Sequence, residues 1–567
     1  MWKALTSERS RRGPRWPLVG VLLALAACAR WYSGADGPAR DGGPESGPGA
    51  CGNGRVEGGE LCDGAELRGQ TCASLGLLSG SLGCTSDCRY DIGGCTSCGD
   101  GKVRGIEECD GSELQGKSCA SLGFSGGALA CRECRLDTTS CAISTAGHAT
   151  VAYGTASELV VRRLDLPSGT WGPRVTVPGI IGEPRWIVNR VSPRFASTRE
   201  EVAAALTETP SELRLHLAHA GSGGWIVDEM IKLPVPPLDA DKRVFDLICE
   251  ASSGEVLLVY SDNTSNPVYR TFAAGSWSAP QKVFASPPGS AAVRWVVLAR
   301  RAASDEIAVL YADAETNLMA AFWDGGRFIA ASNSVLDVPS AYVHQFFDAA
   351  YEAQSGDLLV PHGNSCCMCF DYSLKAPADT FWQTGLVPPT LCVGLWTFMK
   401  VAARRGTDQI ALVGDRWTVG TWDGASWTSV KTLWTGSPWF EVTRWADVAW
   451  VGGAPAAVVV FRGWTDPETP TNPGHGKLFW ARYASAAWQQ GTPVPVEGLG
   501  ELTWVRLEAF PRDDRVLALF SDDGRSLWAA SYDESKGWTV ENGGAALAVK
   551  ELSTAATRPF SVDIWQP

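Results

Sequence analysis

The stretch that decides the fold runs from residue 244 to residue 277, VFDLICEASSGEVLLVYSDNTSNPVYRTFAAGSW. Two apolar runs, 244–248 and 256–260, lead to a polar turn at 261–267. A third run, 268–272, then reaches Trp277 behind Ala274-Gly275-Ser276. Runs this short, with a period of two and Gly, Asp and Asn between them, describe antiparallel strands joined by tight turns.

The same unit recurs along the chain. Trp171, Trp225, Trp277, Phe328, Trp382, Trp427, Trp488 and Trp538 are separated by 54, 52, 51, 54, 45, 61 and 50 residues. Runs at 294–297, 307–311 and 318–323 precede Phe328, and runs at 503–507, 516–520 and 527–532 precede Trp538. Four short strands repeated at this period are the blades of a β-propeller. Seven of the eight markers have an aromatic 31 to 43 residues ahead of them, on the first strand: Trp186, Phe245, Trp295, Phe347, Trp396, Trp445 and Trp504. Trp171 has none. Its missing strand is predicted at 560–564, pairing with 149–153, so that the chain end closes the ring and leaves no free sheet edge. The reading is all-β, with an eight-bladed C-terminal propeller over 146–567; seven blades is the alternative if the irregular unit at 186–225 is not a blade. Most of the tryptophans are read as packing between blades.

Composition agrees. Charged residues make up 20% of the 567, with 62 Gly, 33 Pro and 25 Trp, and 22 of those tryptophans follow residue 150. This excludes a coiled coil or a disordered scaffold. The net charge is −13, and the basic leader holds +4 of it, which leaves −17 elsewhere. Such a surface repels phosphate backbones, so no nucleic-acid partner is expected.

The N-terminus carries an address. Residues 1–15 are basic and 16–27 almost wholly apolar, the layout of a signal peptide. A dozen apolar residues fall short of the ~20 needed to span a bilayer. Leu25-Ala26-Ala27-Cys28 resembles the lipobox of bacterial lipoproteins. That resemblance implies a signal peptide over 1–27, acylation of Cys28 and a membrane partner through the lipid. With Ala29 next, it implies an outer-membrane destination in the cell envelope. Residues 29–50 hold six Gly and three Pro and cannot form a core, so 28–50 reads as a tether.

Between tether and propeller lies a second internal repeat. Cys51, Cys62, Cys72, Cys84, Cys88 and Cys95 recur as Cys98, Cys109, Cys119, Cys131, Cys134 and Cys141 at offsets of 46 or 47. Units of this size bury too little to fold unaided, so each of the repeats, 51–95 and 98–141, needs three disulfides and hence an oxidising compartment. Fifteen pairings per unit are open. Zinc is the lesser reading, because the CxxC at Cys131 and Cys134 has no counterpart at Cys84 and Cys88. Asn53, Glu60, Asp63, Asp100, Glu107 and Asp110 are read as turn caps before hard-cation ligands. The runs CGNGRVEGGELCDG and CGDGKVRGIEECDG resemble the cysteine-rich repeats of myxobacterial surface lipoproteins, where such units are interaction or spacer modules without catalytic residues.

Catalytic signatures are scarce. The six histidines form no HExxH, and GxSxG and phosphate-loop patterns are missing. His216 and His219 fall on opposite faces of one strand. Sialidases share a tryptophan-rich propeller, but Ser521-Asp522-Asp523-Gly524 places the glycine of their Asp-box one residue early, so the activity does not carry over. Three features remain as candidates. His362 with Cys366, Cys367, Cys369 and Cys392 forms a disulfide or soft-metal cluster, the disulfide being preferred. Cys249 is the buried free thiol. The insertion at 464–476 brings Trp464 and His475 to a rim as a ligand loop. The favoured function is a lipid-anchored surface protein whose propeller binds a protein or glycan, with no cofactor and no confident metal. The alternative is a glycoside hydrolase or lyase on extracellular polysaccharide, with carboxylates in the central cleft, for which Asp262, Asp313, Asp415 and Asp522 are the strand-end candidates.

Overall fold

The computed structural model describes residues 51–566 apart from short interior stretches, the longest being 104–108, 120–125, 193–200, 234–242, 338–344, 364–369, 389–397, 434–445 and 464–475. The chain divides into two compact units, Met1–Thr71 with Leu82–Ile92, and Cys72–Ser81 with Gly93–Pro567.

The first unit is held by crosslinks. Cys51 pairs with Cys88 and Cys62 with Cys84. Its opening loop folds around one carboxylate: Asp63 accepts hydrogen bonds from the backbone N–H groups of Gly52 at 2.8 Å, Asn53 at 3.0 Å and Gly54 at 3.1 Å. The glycines are needed there, since Gly52 and Gly54 take φ of 100° and 77°, the left-handed region that side chains avoid.

The second unit contains the Cys72–Cys95 and Cys109–Cys131 disulfides, and Cys119 and Cys134 are disulfide-bonded as well. Cys109–Cys131 occupies the repeat positions of Cys62–Cys84. Gly99 likewise donates to Asp110 as Gly52 does to Asp63.

Eight antiparallel sheets follow, five of four strands and three with a short fifth strand added to the four. Counted from the chain start, the inner strands of blades 2 to 8 are Glu183–Val191, Phe245–Cys249, Val293–Arg300, Ala350–Tyr351, Met399–Ala403, Ala446–Trp450 and Leu502–Ala509, and each runs outward through three more strands. Blade 1 is different. Its second, third and outer strands are His148–Gly154, Leu159–Asp165 and Thr170–Trp171, but its inner strand is Phe560–Trp565. The closing register is Phe560 opposite Tyr153 through Ile564 opposite Ala149, as the sequence predicts. Residues 186–225 form an ordinary blade, which settles the number at eight.

Successive inner strands contact one another around the whole ring, the last meeting the first. Markers such as Trp277, Trp427 and Trp538 stand at the start of the outermost strand of their blades, whereas Phe328 makes an isolated bridge to Trp323 ahead of the outer strand Ser334–Asp337. The apolar faces of each sheet are buried between neighbouring blades. Leu257, Val296, Ile307 and Trp323 share one such layer between blades 3 and 4, and Leu359, Met399, Leu412 and Trp422 another between blades 5 and 6.

Closure is a measurable stability term. Phe560 is buried in the closing strand and its truncation leaves a cavity. Phe560→Ala is expected to cost about 3–5 kcal/mol in urea unfolding, whereas truncating the exposed outer-rim residue Val549 leaves the midpoint nearly unchanged. Equal effects at the two positions would contradict the closed ring.

Candidate functional site

Alternate seams of the ring carry the same polar bridge. A buried or half-buried aspartate near the inner strand of each odd blade accepts a backbone N–H from the next blade. Asp563 takes Val191 at 2.7 Å, Asp246 takes Leu298 at 3.0 Å, Asp348 takes Val401 at 2.9 Å and Asp447 takes Leu507 at 2.9 Å. The residue preceding each donor is Arg190, Val297, Lys400 or Arg506. Lys400 pairs with Asp348 at 2.8 Å. Where that position is Val297, Arg243 pairs with Asp246 instead. The propeller is therefore built from four blade pairs, each with one bridged internal seam.

A second motif marks the same seams further out. In Glu250-Ala-Ser-Ser253, Glu250 accepts the indole N–H of Trp323 at 2.6 Å, and the N–H groups of Ser252 and Ser253 reach Asp305 at 2.6 and 3.1 Å. In Glu352-Ala-Gln-Ser355, Glu352 accepts Trp422 at 2.6 Å, and Gln354 and Ser355 reach Asp408 at 2.7 and 3.0 Å. Burial raises the pKa of both glutamates, with the hydrogen bonds from serine and tryptophan opposing it.

Along the axis the ring is plugged. Trp186 of blade 2 meets Trp295 of blade 4 at 5.5 Å and Trp504 of blade 8 at 5.4 Å, both edge to face. Beside this plug is a cavity of about 30 Å³ whose wall includes Trp186, Trp504, Phe560, Arg190, Arg243 and Arg506. Its rim is aromatic and cationic. Glu508 and Asp563 also stand on the axis, each with its carboxyl raised by burial; Asp563 adds to the effect on Glu508, and Arg506 opposes it. Small-molecule sites run to roughly 300–1,000 Å³. No sugar ring enters this cavity, so it is not the central cleft that a hydrolase requires.

The larger surfaces lie on the outer half of the bridged seams, where aromatic trios recur. Between blades 3 and 4, Tyr269, Trp323 and Phe328 meet pairwise at 5.0 to 5.4 Å. Between blades 5 and 6, Tyr372, Trp422 and Trp427 do so at 5.5 to 6.1 Å. Between blades 7 and 8, Trp480, Tyr532 and Trp538 do so at 5.3 to 6.1 Å. Trp323 and Tyr532 are buried in the first and third trios and both Trp422 and Trp427 in the middle one, while Tyr269, Phe328, Tyr372, Trp480 and Trp538 are half-buried. Polar groups edge two of them. Tyr269 donates to Gln281 at 2.8 Å, and Arg482 forks onto Glu534, which also accepts the Tyr532 hydroxyl at 3.1 Å. Two of the seams thus offer apolar ring faces beside hydroxyl, amide or ion-pair groups.

These platforms escaped the sequence reading, which assigned the tryptophans to packing. The available signal was the spacing of Tyr269, Tyr372 and Trp480, 103 and 108 residues apart, twice the blade period.

Among the residues singled out by sequence, Asp313 and Asp522 cap their own turns. Asp313 accepts Glu315 and Asn317, and Asp522 accepts Gly500, Ser526 and the Trp528 indole. Asp262 pairs with Lys282 at 2.6 Å. None of the three joins the axial carboxyls, and Asp415 lies outside the described residues. His216 binds Thr207 and the Ile181 carbonyl, while His219 pairs with Asp228 at 2.8 Å and packs on Phe272 of blade 3. Cys249 is buried and is the free cysteine among the described residues, its thiol pushed up to about 12 by burial. His362 is buried in blade 5, 3.3 Å from Ser373, but Cys366, Cys367, Cys369, Cys392, Trp464, His475, Cys28 and Cys98 lie outside the described residues. In the first unit, oxygens of Glu60 and Asp63 approach Cys88 sulfur within 4.8 Å. The sulfur is disulfide-bound and Asp63 is already committed to three N–H donors, so this is a turn cap rather than a metal centre.

No protein-family description matches the chain, and neither does any curated protein. Similar solved structures include the BP39L lectin from Burkholderia pseudomallei (13% identity, 64% of this chain and 98% of that one, TM-score 0.42). A mutant Aleuria aurantia lectin in complex with Fucalpha1-6GlcNAc is similar at 13% identity, 54% and 97% coverage and TM-score 0.34, and apo AztD from Citrobacter koseri at 12%, 74% and 98%, and 0.40. The assignment of an eight-bladed propeller stands on the strand pairing of the chain itself.

The raised axial carboxyls fix a pH dependence. A carboxyl whose folded pKa exceeds its unfolded value binds more protons folded than unfolded, so its contribution to stability falls as pH rises through that window. Replacing Glu508 by glutamine removes this loss. The melting temperature of Glu508→Gln minus that of the parent is expected to increase between about pH 5 and pH 8. A difference that is flat or decreases over this range, measured by scanning fluorimetry, contradicts the assignment.

Proposed function

We propose that the propeller binds glycans at the aromatic platforms of its bridged seams, and that the protein does so outside the cell, held to the envelope by a lipid on Cys28. The observation that carries the binding reading is the recurrence of one half-buried aromatic trio at three of four equivalent seams. A sugar presents an apolar C–H face and a rim of hydroxyls. A half-buried ring with adjacent Arg, Glu, Gln or Tyr groups meets both, and it excludes water from the hydroxyl contacts. Packing alone explains the fully buried Trp323 and Trp422, but not the recurring half-exposure of Tyr269, Tyr372 and Trp480. Three sites on one rigid scaffold support avidity for a repeating polymer, where each site alone is weak.

Disulfides in both units belong to an oxidising, exported setting. Among the described residues no helix is long and apolar enough to cross a membrane. The lipobox-like leader supports attachment through acyl chains, each buried methylene contributing about 0.8 kcal/mol.

Titration of the soluble chain with oligosaccharides from a glycan panel, read by calorimetry, is expected to give up to three sites. Tyr269→Ala, Tyr372→Ala and Trp480→Ala should each remove one, at about 2 kcal/mol or ~30-fold per site. Binding of a protein but no glycan, or glycan binding indifferent to all three substitutions, refutes the reading. Glycan turnover would bring back the hydrolase. For the anchor, Cys28→Ser is expected to shift the full-length protein from the detergent phase to the aqueous phase on Triton X-114 partition. Unchanged partitioning excludes the lipid.

A further inference from the structure

The axial cavity takes no part in the seam platforms, and its wall has a distinct chemistry. Arg190 of blade 2, Arg243 just ahead of blade 3 and Arg506 of blade 8 converge on it beneath Trp186, Trp504 and Phe560. Three polar atoms of these wall residues are buried without a partner among the described residues: Nε of Arg243, Nε of Arg506 and Nε1 of Trp186. Arg243 and Trp186 are 7% and 8% exposed, so bulk water does not serve them. All three atoms are donors, and among the described residues no side-chain acceptor of the wall is buried without a partner. Buried donors in this state call for a guest. Water would bring two lone pairs but also two hydrogens that need acceptors, whereas an acceptor-only guest matches the wall.

Volume and charge narrow the choice. About 30 Å³ holds one or two waters or a single monatomic ion. Carboxylates do share the axis: Asp246 pairs with Arg243, Glu508 lies 3.7 Å from Arg506, and Asp348, Asp447 and Asp563 stand nearby, Asp348 paired with Lys400. Burial raises Glu508 and Asp563 toward their neutral forms, and Arg506 and Arg190 repel Arg243. Nε of Arg243, Nε of Arg506 and Nε1 of Trp186 nevertheless take none of these carboxylates as a hydrogen-bond partner among the described residues.

We infer that the axis binds one halide ion, chloride under ordinary conditions, between Arg243, Arg506 and Trp186, as a structural ligand that ties blades 2, 3 and 8 together. The test uses the whole exported chain in chloride, bromide or gluconate at one ionic strength. A ligand that binds only the folded state raises the melting temperature saturably, and a rise of about 2 °C or more is expected for both halides over gluconate. Crystals grown in bromide should show an anomalous peak within hydrogen-bond reach of Arg506 and Trp186. Arg506→Gln should abolish both effects. If that variant does not fold, Arg190→Gln, whose parent side chain is only half-buried, is expected to reduce the halide shift by more than half. Equal midpoints in the three salts, an axis without anomalous signal, or a halide shift untouched in the folded variant would each overturn the site.

Discussion

Everything in the propeller depends on one pairing: the last strand of the chain, Phe560–Trp565, lies against the first, His148–Gly154. An open row of blades would present unpaired N–H and C=O groups at both ends, and its two terminal sheets would each leave an apolar face in water. Zipping the chain end onto the chain start removes both at once. It also brings Asp563 to Val191 and Ser561 to Asn189, contacts spanning 372 residues of sequence that only a closed ring makes. Such long-range contacts form after large loop-closure losses, so the ring is a late and cooperative product of folding.

Closure explains why the seams differ. Within each pair of blades an aspartate crosses to the backbone of the next blade near the axis. In two pairs a glutamate further out holds a tryptophan indole. A buried carboxylate is costly unless its lone pairs are met, so these bridges fix the register of one blade on the next more strictly than apolar packing can. Among the described residues the seams between pairs lack the aspartate-to-backbone bridge near the axis, although between blades 2 and 3 the Trp277 indole donates to Asp228 at 3.1 Å. The aromatic trios sit on the bridged seams, where a rigid polar frame holds ring faces half open to solvent. In this picture binding surfaces and architecture come from the same repeat.

The axis shows the other side of that economy. Three tryptophans close it and arginines and carboxyls crowd beneath them, so the space that hosts chemistry in many ring-shaped proteins is here nearly filled. Among the described residues the half-open aromatic faces of the trios lie on the outer part of the seams.

Much of this was legible in the chain. The eight spaced markers, the period-two runs and the orphaned Trp171 together determined an eight-bladed ring with its closing strand at 560–564, because burial at a fixed strand spacing leaves a periodic trace in sequence. Cysteines recurring at 46 or 47 residue offsets likewise called for disulfides ahead of the propeller, though not that Cys51 would choose Cys88 over Cys84, nor that Cys72–Cys95 would fall outside the first compact unit. What only the tertiary structure decided was which tryptophans are half open, which aspartates bridge blades rather than cap turns, and that Arg190, Arg243 and Arg506 meet. Those properties depend on neighbours from other blades, tens to hundreds of residues away. A single-chain pattern records which face of a strand is apolar, but not which side chain from another strand will stand opposite it.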